Sequence, residues 1–141
     1  EFRRVLFRST MKALLEKIKF DEKGLIPFIT QDANTKEVLT LAYMNDEALK
    51  LTLETGKIYV FRRSRGRVMM KGETSGMVQE VKEIRLDCEG NSLLILAEPK
   101  GPACHKMFWT CYFEEYKSGS DSFVTHGEPL LDPKEVYKGK E

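Results

Sequence analysis

The sequence predicts an α+β fold built mostly from antiparallel strands, with one well-marked helix. Three observations carry this. Apolar runs of strand length recur at residues 25–30, 38–43, 58–61 and 93–97, and several are rich in β-branched residues. Short polar or glycine-containing stretches separate them. One segment alone combines helical spacing with signals at both of its ends.

Taken in order, residues 1–10 resemble translated cloning sequence, so a non-native extension is expected there, with Met11 as the native start. A single domain is expected over residues 11–141. Leu14, Leu15 and Ile18 fit a short helix. The polar run Asp32-Ala33-Asn34-Thr35-Lys36 joins the first two strands as a hairpin. Asn45 is a good N-cap, Asp46 and Glu47 complement the helix dipole, and Gly56 supplies the stop after Ala48, Leu49, Leu51 and Leu53. A strand at 58–61 runs into the basic loop 62–67. A long strand then carries Val78, Val81, Ile84 and Leu86. Val81 is out of phase with the other three, which predicts a bulge or a two-sided strand. Glu89-Gly90-Asn91 turns the chain into the strand at 93–97, Gly101-Pro102 breaks it, and a last strand is expected at about 109–115. The polar, Gly- and Pro-punctuated remainder predicts an extended C-terminal arm or loop.

The 141 residues are 41% hydrophobic and 32% charged, with a net charge of +1, an ordinary globular composition. That balance gives no general electrostatic case for nucleic acid or an anionic membrane. The longest apolar runs are too short to cross a bilayer, and the N-terminus lacks the apolar stretch of a signal peptide, so a cytoplasmic location is expected.

Several groups of residues have chemical potential. Cys88, Cys104 and Cys111 form an odd set of thiols, which argues against a disulfide framework and for a soft metal such as zinc. Three protein ligands would leave the fourth tetrahedral position to water; alternatively, the thiols are small core hydrophobes. Arg62, Arg63, Arg65 and Arg67 suit phosphate binding, and Lys71-Gly72-Glu73-Thr74-Ser75-Gly76 adds a cation, hydroxyls and flexible backbone. A solvated hairpin tip is the plainer alternative for both. Asp87, Glu89 and Asn91 would share one face if extended, a hard-cation site beside a thiol, or else simply a polar turn. His105 suits a ligand, a general base or a loop histidine; His126 reads as structural.

Taken together, these segments resemble a known family. Ala42-Tyr43-Met44-Asn45-x-Glu47-Ala48-Leu49, Glu54-Thr55-Gly56, Arg63-Ser64-Arg65-Gly66, the Lys71 to Gly76 run, Ile84-x-Leu86-Asp87-Cys88 and Gly101-Pro102-Ala103-Cys104-His105-x5-Cys111 look like phosphoribosyl-AMP cyclohydrolase of histidine biosynthesis. Asp132-Pro133-Lys134-x-Val136-Tyr137 is similar too. The resemblance implies hydrolysis of the adenine ring of 1-(5-phosphoribosyl)-AMP between N1 and C6. It implies an intertwined homodimer with zinc on Cys104, Cys111 and the other subunit's Cys88. It further implies magnesium at Asp87, Glu89 and Asn91, proton transfer by His105, and substrate phosphates on Arg63, Arg65, Lys71, Thr74, Ser75 and Gly76. The chain departs from the family pattern at Glu89, Asn91, Met77, Phe61-Arg62 and residues 106–109. These departures leave open a paralogue acting on another ring or amidine, or a non-catalytic zinc-stabilised binding module.

Overall fold

The computed structural model describes residues 11–139; the extension expected over residues 1–10 lies outside them. Helix α1 (Met11–Lys17) opens the described chain, and Met11, Leu14 and Leu15 rest against the core as one stripe. Strands β1 (Ile26–Asp32) and β2 (Val38–Met44) form the expected antiparallel hairpin, in register from Ile26 opposite Met44. Asp32 organises the turn. Its carboxylate accepts from the Asn34 and Thr35 N–H groups at 2.8 and 3.3 Å, an Asx-type arrangement.

Helix α2 (Asp46–Thr55) starts and stops as its sequence predicts. The Asn45 side chain accepts from the Ala48 N–H at 2.8 Å. Gly56 takes the left-handed conformation at φ 77°, which costs glycine least, and returns its N–H to the Thr52 carbonyl. Ala48, Leu49, Thr52 and Leu53 are its buried face. Thr52 does more than fill space: its hydroxyl donates to the Ala48 carbonyl and accepts the Tyr59 N–H at 2.9 Å. A buried polar group satisfied on both sides thus fixes where β3 (Tyr59–Arg62) begins.

β3 pairs with β4 (Arg67–Met70), so the basic segment is the tip of a hairpin. β4 was not expected, because Val68-Met69-Met70 has neither alternation nor a run of β-branched residues. β5 (Gln79–Leu86) and β6 (Leu93–Pro99) are antiparallel, with a register shift between Val81 and Glu83. That bulge is why Val81 could be buried while out of phase with its neighbours. The main sheet has the order β2-β1-β6-β5. Its central β1–β6 pair is parallel, which the expectation of antiparallel strands did not specify.

The C-terminal third differs from expectation. Residues 109–113 do not form a strand; β7 (Glu114–Lys117) begins just beyond and pairs with β8 (Ser122–Thr125). The tail is therefore not an arm throughout, and it ends in the short helix α3 (Pro133–Val136). All of β7 and β8 is exposed, so neither strand shows an apolar face that a sequence pattern could report. Tyr116 and Phe123, with ring centroids 5.5 Å apart, supply cross-strand packing.

The core lies between α2 and the sheet, with Ile26, Phe28, Leu49, Ile58 and Ile95 among its most buried members. Each such side chain contributes roughly 1.5–3 kcal/mol of transfer free energy. Among the described residues no helix is long and apolar enough to cross a membrane.

Candidate active site

A cavity of about 1040 Å³ opens between the β3–β4 hairpin, the loop at 71–76 and the turn at 102–105. The predicted anion-binding residues Arg63, Arg65, Lys71, Thr74 and Ser75 line it, together with Cys104 and His105. Gly76 closes the same loop. Its N–H donates to the Gly72 carbonyl at 2.7 Å.

The loop is shaped by its own backbone. Gly72 sits at φ 87°, and a Cβ there would collide with the Met77 carbonyl, so the glycine is needed for closure. Glu73 accepts the Met70 N–H at 3.1 Å and pairs with Arg67 at 3.8 Å, joining loop to hairpin. Lys71 is partly buried and donates to the Ala103 carbonyl at 3.2 Å. Burial holds its ammonium below the ordinary lysine value and Arg62 adds to this, while the neighbouring Cys111 and Cys104 oppose it.

On the hairpin wall, the Arg63 guanidinium carbon lies 4.0 Å from the centroid of the Tyr43 ring. An exposed cation–π contact of this kind is worth about 0.5–1 kcal/mol and orients the guanidinium. No local sequence signal pairs Tyr43 with Arg63, because the contact depends on β2 lying beside β3. Tyr137, Met69 and Met70 also line the cavity.

Two of the three thiols share one neighbourhood. Ala103 and Cys104 donate their N–H groups to the Trp109 and Phe108 carbonyls, both at 3.1 Å, so the chain doubles back after Cys104. The Cys111 N–H then binds the Leu39 carbonyl at 2.7 Å, and its thiol donates to the Thr40 hydroxyl at 3.2 Å. These bonds occupy the backbone that a strand at 109–115 would have used. Burial pushes the Cys111 thiol up, and the adjacent Cys104 adds to this against the pull of Thr40 and Lys71.

Cys88 is elsewhere. It follows Leu86, which pairs with Leu93, whereas Cys104 follows Pro99, which pairs with Gln79. The two thiols leave opposite ends of the β5–β6 pair, and a strand of this length spans roughly 20 Å. Among the described residues no three His, Cys, Asp or Glu side chains are grouped to hold a metal ion within one chain.

The segment at 87–91 is a turn, so the shared face of an extended strand does not form. The Gly90 N–H donates to the Asp87 carbonyl, and the Asn91 N–H to the Asp87 carboxylate at 2.9 Å. Desolvation raises the Asp87 carboxyl, but hydrogen bonds from Asn91, Ser92 and Gly90 outweigh it and hold the group below its ordinary value. His126 belongs to the exposed β7–β8 hairpin, with its ring nitrogen 2.8 Å from Glu115.

Comparison with known proteins gives this cavity a context. Residues 40–113, which supply much of its wall, match the phosphoribosyl-AMP cyclohydrolase family. The chain belongs to the phosphoribosyl-AMP cyclohydrolase family. Phosphoribosyl-AMP cyclohydrolase of Chlorobaculum parvum is 41% identical over 133 residues, covering 94% of this chain and 96% of the relative. That of Archaeoglobus fulgidus is 58% identical over 97 residues, covering 69% and 90%. The histidine biosynthesis bifunctional protein HisIE of Caldanaerobacter subterraneus subsp. tengcongensis is 57% identical over 110 residues, 78% of this chain; the match spans 54% of that longer protein. As a phosphoribosyl-AMP cyclohydrolase, the chain is an enzyme of histidine biosynthesis. The non-catalytic alternative falls away. The cavity has the cationic wall that such a phosphorylated substrate calls for.

Proposed function

We propose that this phosphoribosyl-AMP cyclohydrolase acts as a zinc-dependent homodimer, opening the adenine ring of 1-(5-phosphoribosyl)-AMP between N1 and C6. The observation that supports it best is the division of the thiols. Cys104 and Cys111 lie by the cavity, and Cys88 leaves the far end of the sheet. Two sulfurs fall short of a three-thiol zinc site, and a second copy would supply the missing Cys88. Cys104, Cys111 and Cys88 of the partner subunit would hold the metal. Zinc, when bound, supplies Lewis acidity that makes water a competent nucleophile near neutral pH.

The chain's own residues do the rest. Arg63 and Arg65 on one wall, and Lys71, Thr74 and Ser75 on another with Gly76 closing their loop, hold the two phosphate groups of the substrate and so fix the purine between them. In the reaction, water adds its oxygen to C6, the C6–N1 bond breaks and a proton is returned to N1. His105, exposed at the cavity wall, is the group that moves this proton.

The residues at Asp87, Glu89 and Asn91 fit magnesium less well. One Asp87 oxygen already caps the turn, and Asn91 brings no charge. Magnesium demands near-ideal octahedral geometry, so this turn is proposed as a weak site.

The test is turnover of phosphoribosyl-AMP, followed by the absorbance change on ring opening, before and after chelation. Loss of activity on chelation and its return with zinc are expected. Full turnover by protein shown to be free of metal would overturn the reading.

A further inference from the structure

Tyr137 lies beyond the family-matched segment 40–113, yet it forms part of the cavity wall. Its arrival there is well constrained. The Leu130 N–H donates to the Met107 carbonyl at 2.9 Å, fastening the C-terminal segment to the turn that follows Cys104. Asp132 then caps α3, accepting the Lys134 N–H at 3.0 Å, with Pro133 preset for the first helical turn. The Tyr137 N–H returns to the Pro133 carbonyl at 3.0 Å. Helix α3 buries none of its own residues. Its cap and its proline therefore fix a turn whose packing consequence is the placement of Tyr137.

The Tyr137 ring meets His105, with centroids 4.9 Å apart and planes at 33°. Among the described residues no side-chain hydrogen bond orients the exposed His105 ring, which leaves this aromatic contact to do so. The phenol shares the cavity wall with Ser75.

We propose that Tyr137 is a positioning residue whose ring holds the His105 imidazole at the cavity wall. This rests on the reading of His105 as the group that moves the proton. A ring free to rotate spends most of its time out of reach of the transferred proton, so losing the contact lowers kcat. Losing only the hydroxyl leaves the ring contact in place and keeps kcat.

The experiment compares Tyr137→Phe, Tyr137→Leu, His105→Ala and the His105→Ala/Tyr137→Leu double variant in the zinc-loaded full chain. Tyr137→Phe, which keeps the ring, should hold kcat within about twofold, and Tyr137→Leu should lower kcat about tenfold or more with KM little changed. The double variant should be no slower than His105→Ala, because both changes disable one device. Zinc content and thermal midpoint should match the parent throughout. Unchanged kcat in Tyr137→Leu alongside a slow His105→Ala would overturn this inference and leave the role of His105 standing. Full activity in His105→Ala would overturn both. A fall in zinc content in Tyr137→Leu would place the residue in support of the metal and overturn the positioning role.

Discussion

Lys71 donates its ammonium to the Ala103 carbonyl at 3.2 Å, binding the loop at 71–76 to the turn that carries Cys104. The loop and the thiol pair are thereby held in one frame. The burial that lowers the Lys71 proton affinity leaves a cation with little water to compete for it, so an anion placed there is held strongly.

Replacing Lys71 with Met should lower kcat/KM by about 10- to 100-fold, the value of a charge-assisted hydrogen bond of roughly 1.5–3 kcal/mol. Met keeps much of the stem and removes a buried charge, so the thermal midpoint should hold or rise. Steady-state kinetics beside a melting curve separates the two effects. An unchanged kcat/KM would remove Lys71 from the substrate site.

Complementation examines the proposed sharing of a thiol site between subunits. Cys88→Ser and Cys104→Ser homodimers should each be inactive and depleted of zinc. Refolded together, half the dimers pair the two variants, and each such dimer has one intact site, giving roughly a quarter of the parent activity. No recovery from well-mixed dimers would mean that Cys88 does not act across subunits.

Asn91→Asp should tighten magnesium binding, because a third carboxylate adds charge to a turn that now has two. Isothermal titration of zinc-loaded protein with Mg²⁺ reads this directly. Equal affinity in parent and variant would argue that position 91 does not face the ion.

The β7–β8 hairpin should respond to acid through Glu115. His126, first, and then Lys117 hold its carboxyl below the ordinary 4.5. A depressed carboxylate stabilises the folded form above its unfolded value and loses that contribution as pH falls through the folded one. NMR titration of Glu115 should therefore show a midpoint below 4.5 that moves back toward it in His126→Ala. A midpoint indifferent to His126 would contradict the pairing.

Much of this fold was legible locally. The cap at Asn45, the stop at Gly56 and the bulge at Val81 follow from residues within a few positions of one another, because hydrogen-bond capping and strand pleat are short-range constraints. β4 and the β7–β8 hairpin escaped for the opposite reason. Arg67–Met70 lacks a pattern, and β7 and β8 lie wholly in solvent, where no apolar face is needed. The strand expected at 109–115 failed because the Cys111 N–H found a partner in Leu39, far away in sequence.

The sequence alone determined which chemical groups the enzyme has: three thiols, a basic hairpin tip, a glycine-shaped loop and a histidine beside Cys104. Only the tertiary structure decided which of them meet. It brought Cys111 to Cys104 through β2, sent Cys88 to the far end of the β5–β6 pair, and returned Tyr137 to His105. The physical reason is that side-chain periodicity and turn chemistry are written in neighbouring residues. Contacts across the fold depend instead on strand order and register, which the chain settles only when the sheet closes on its core.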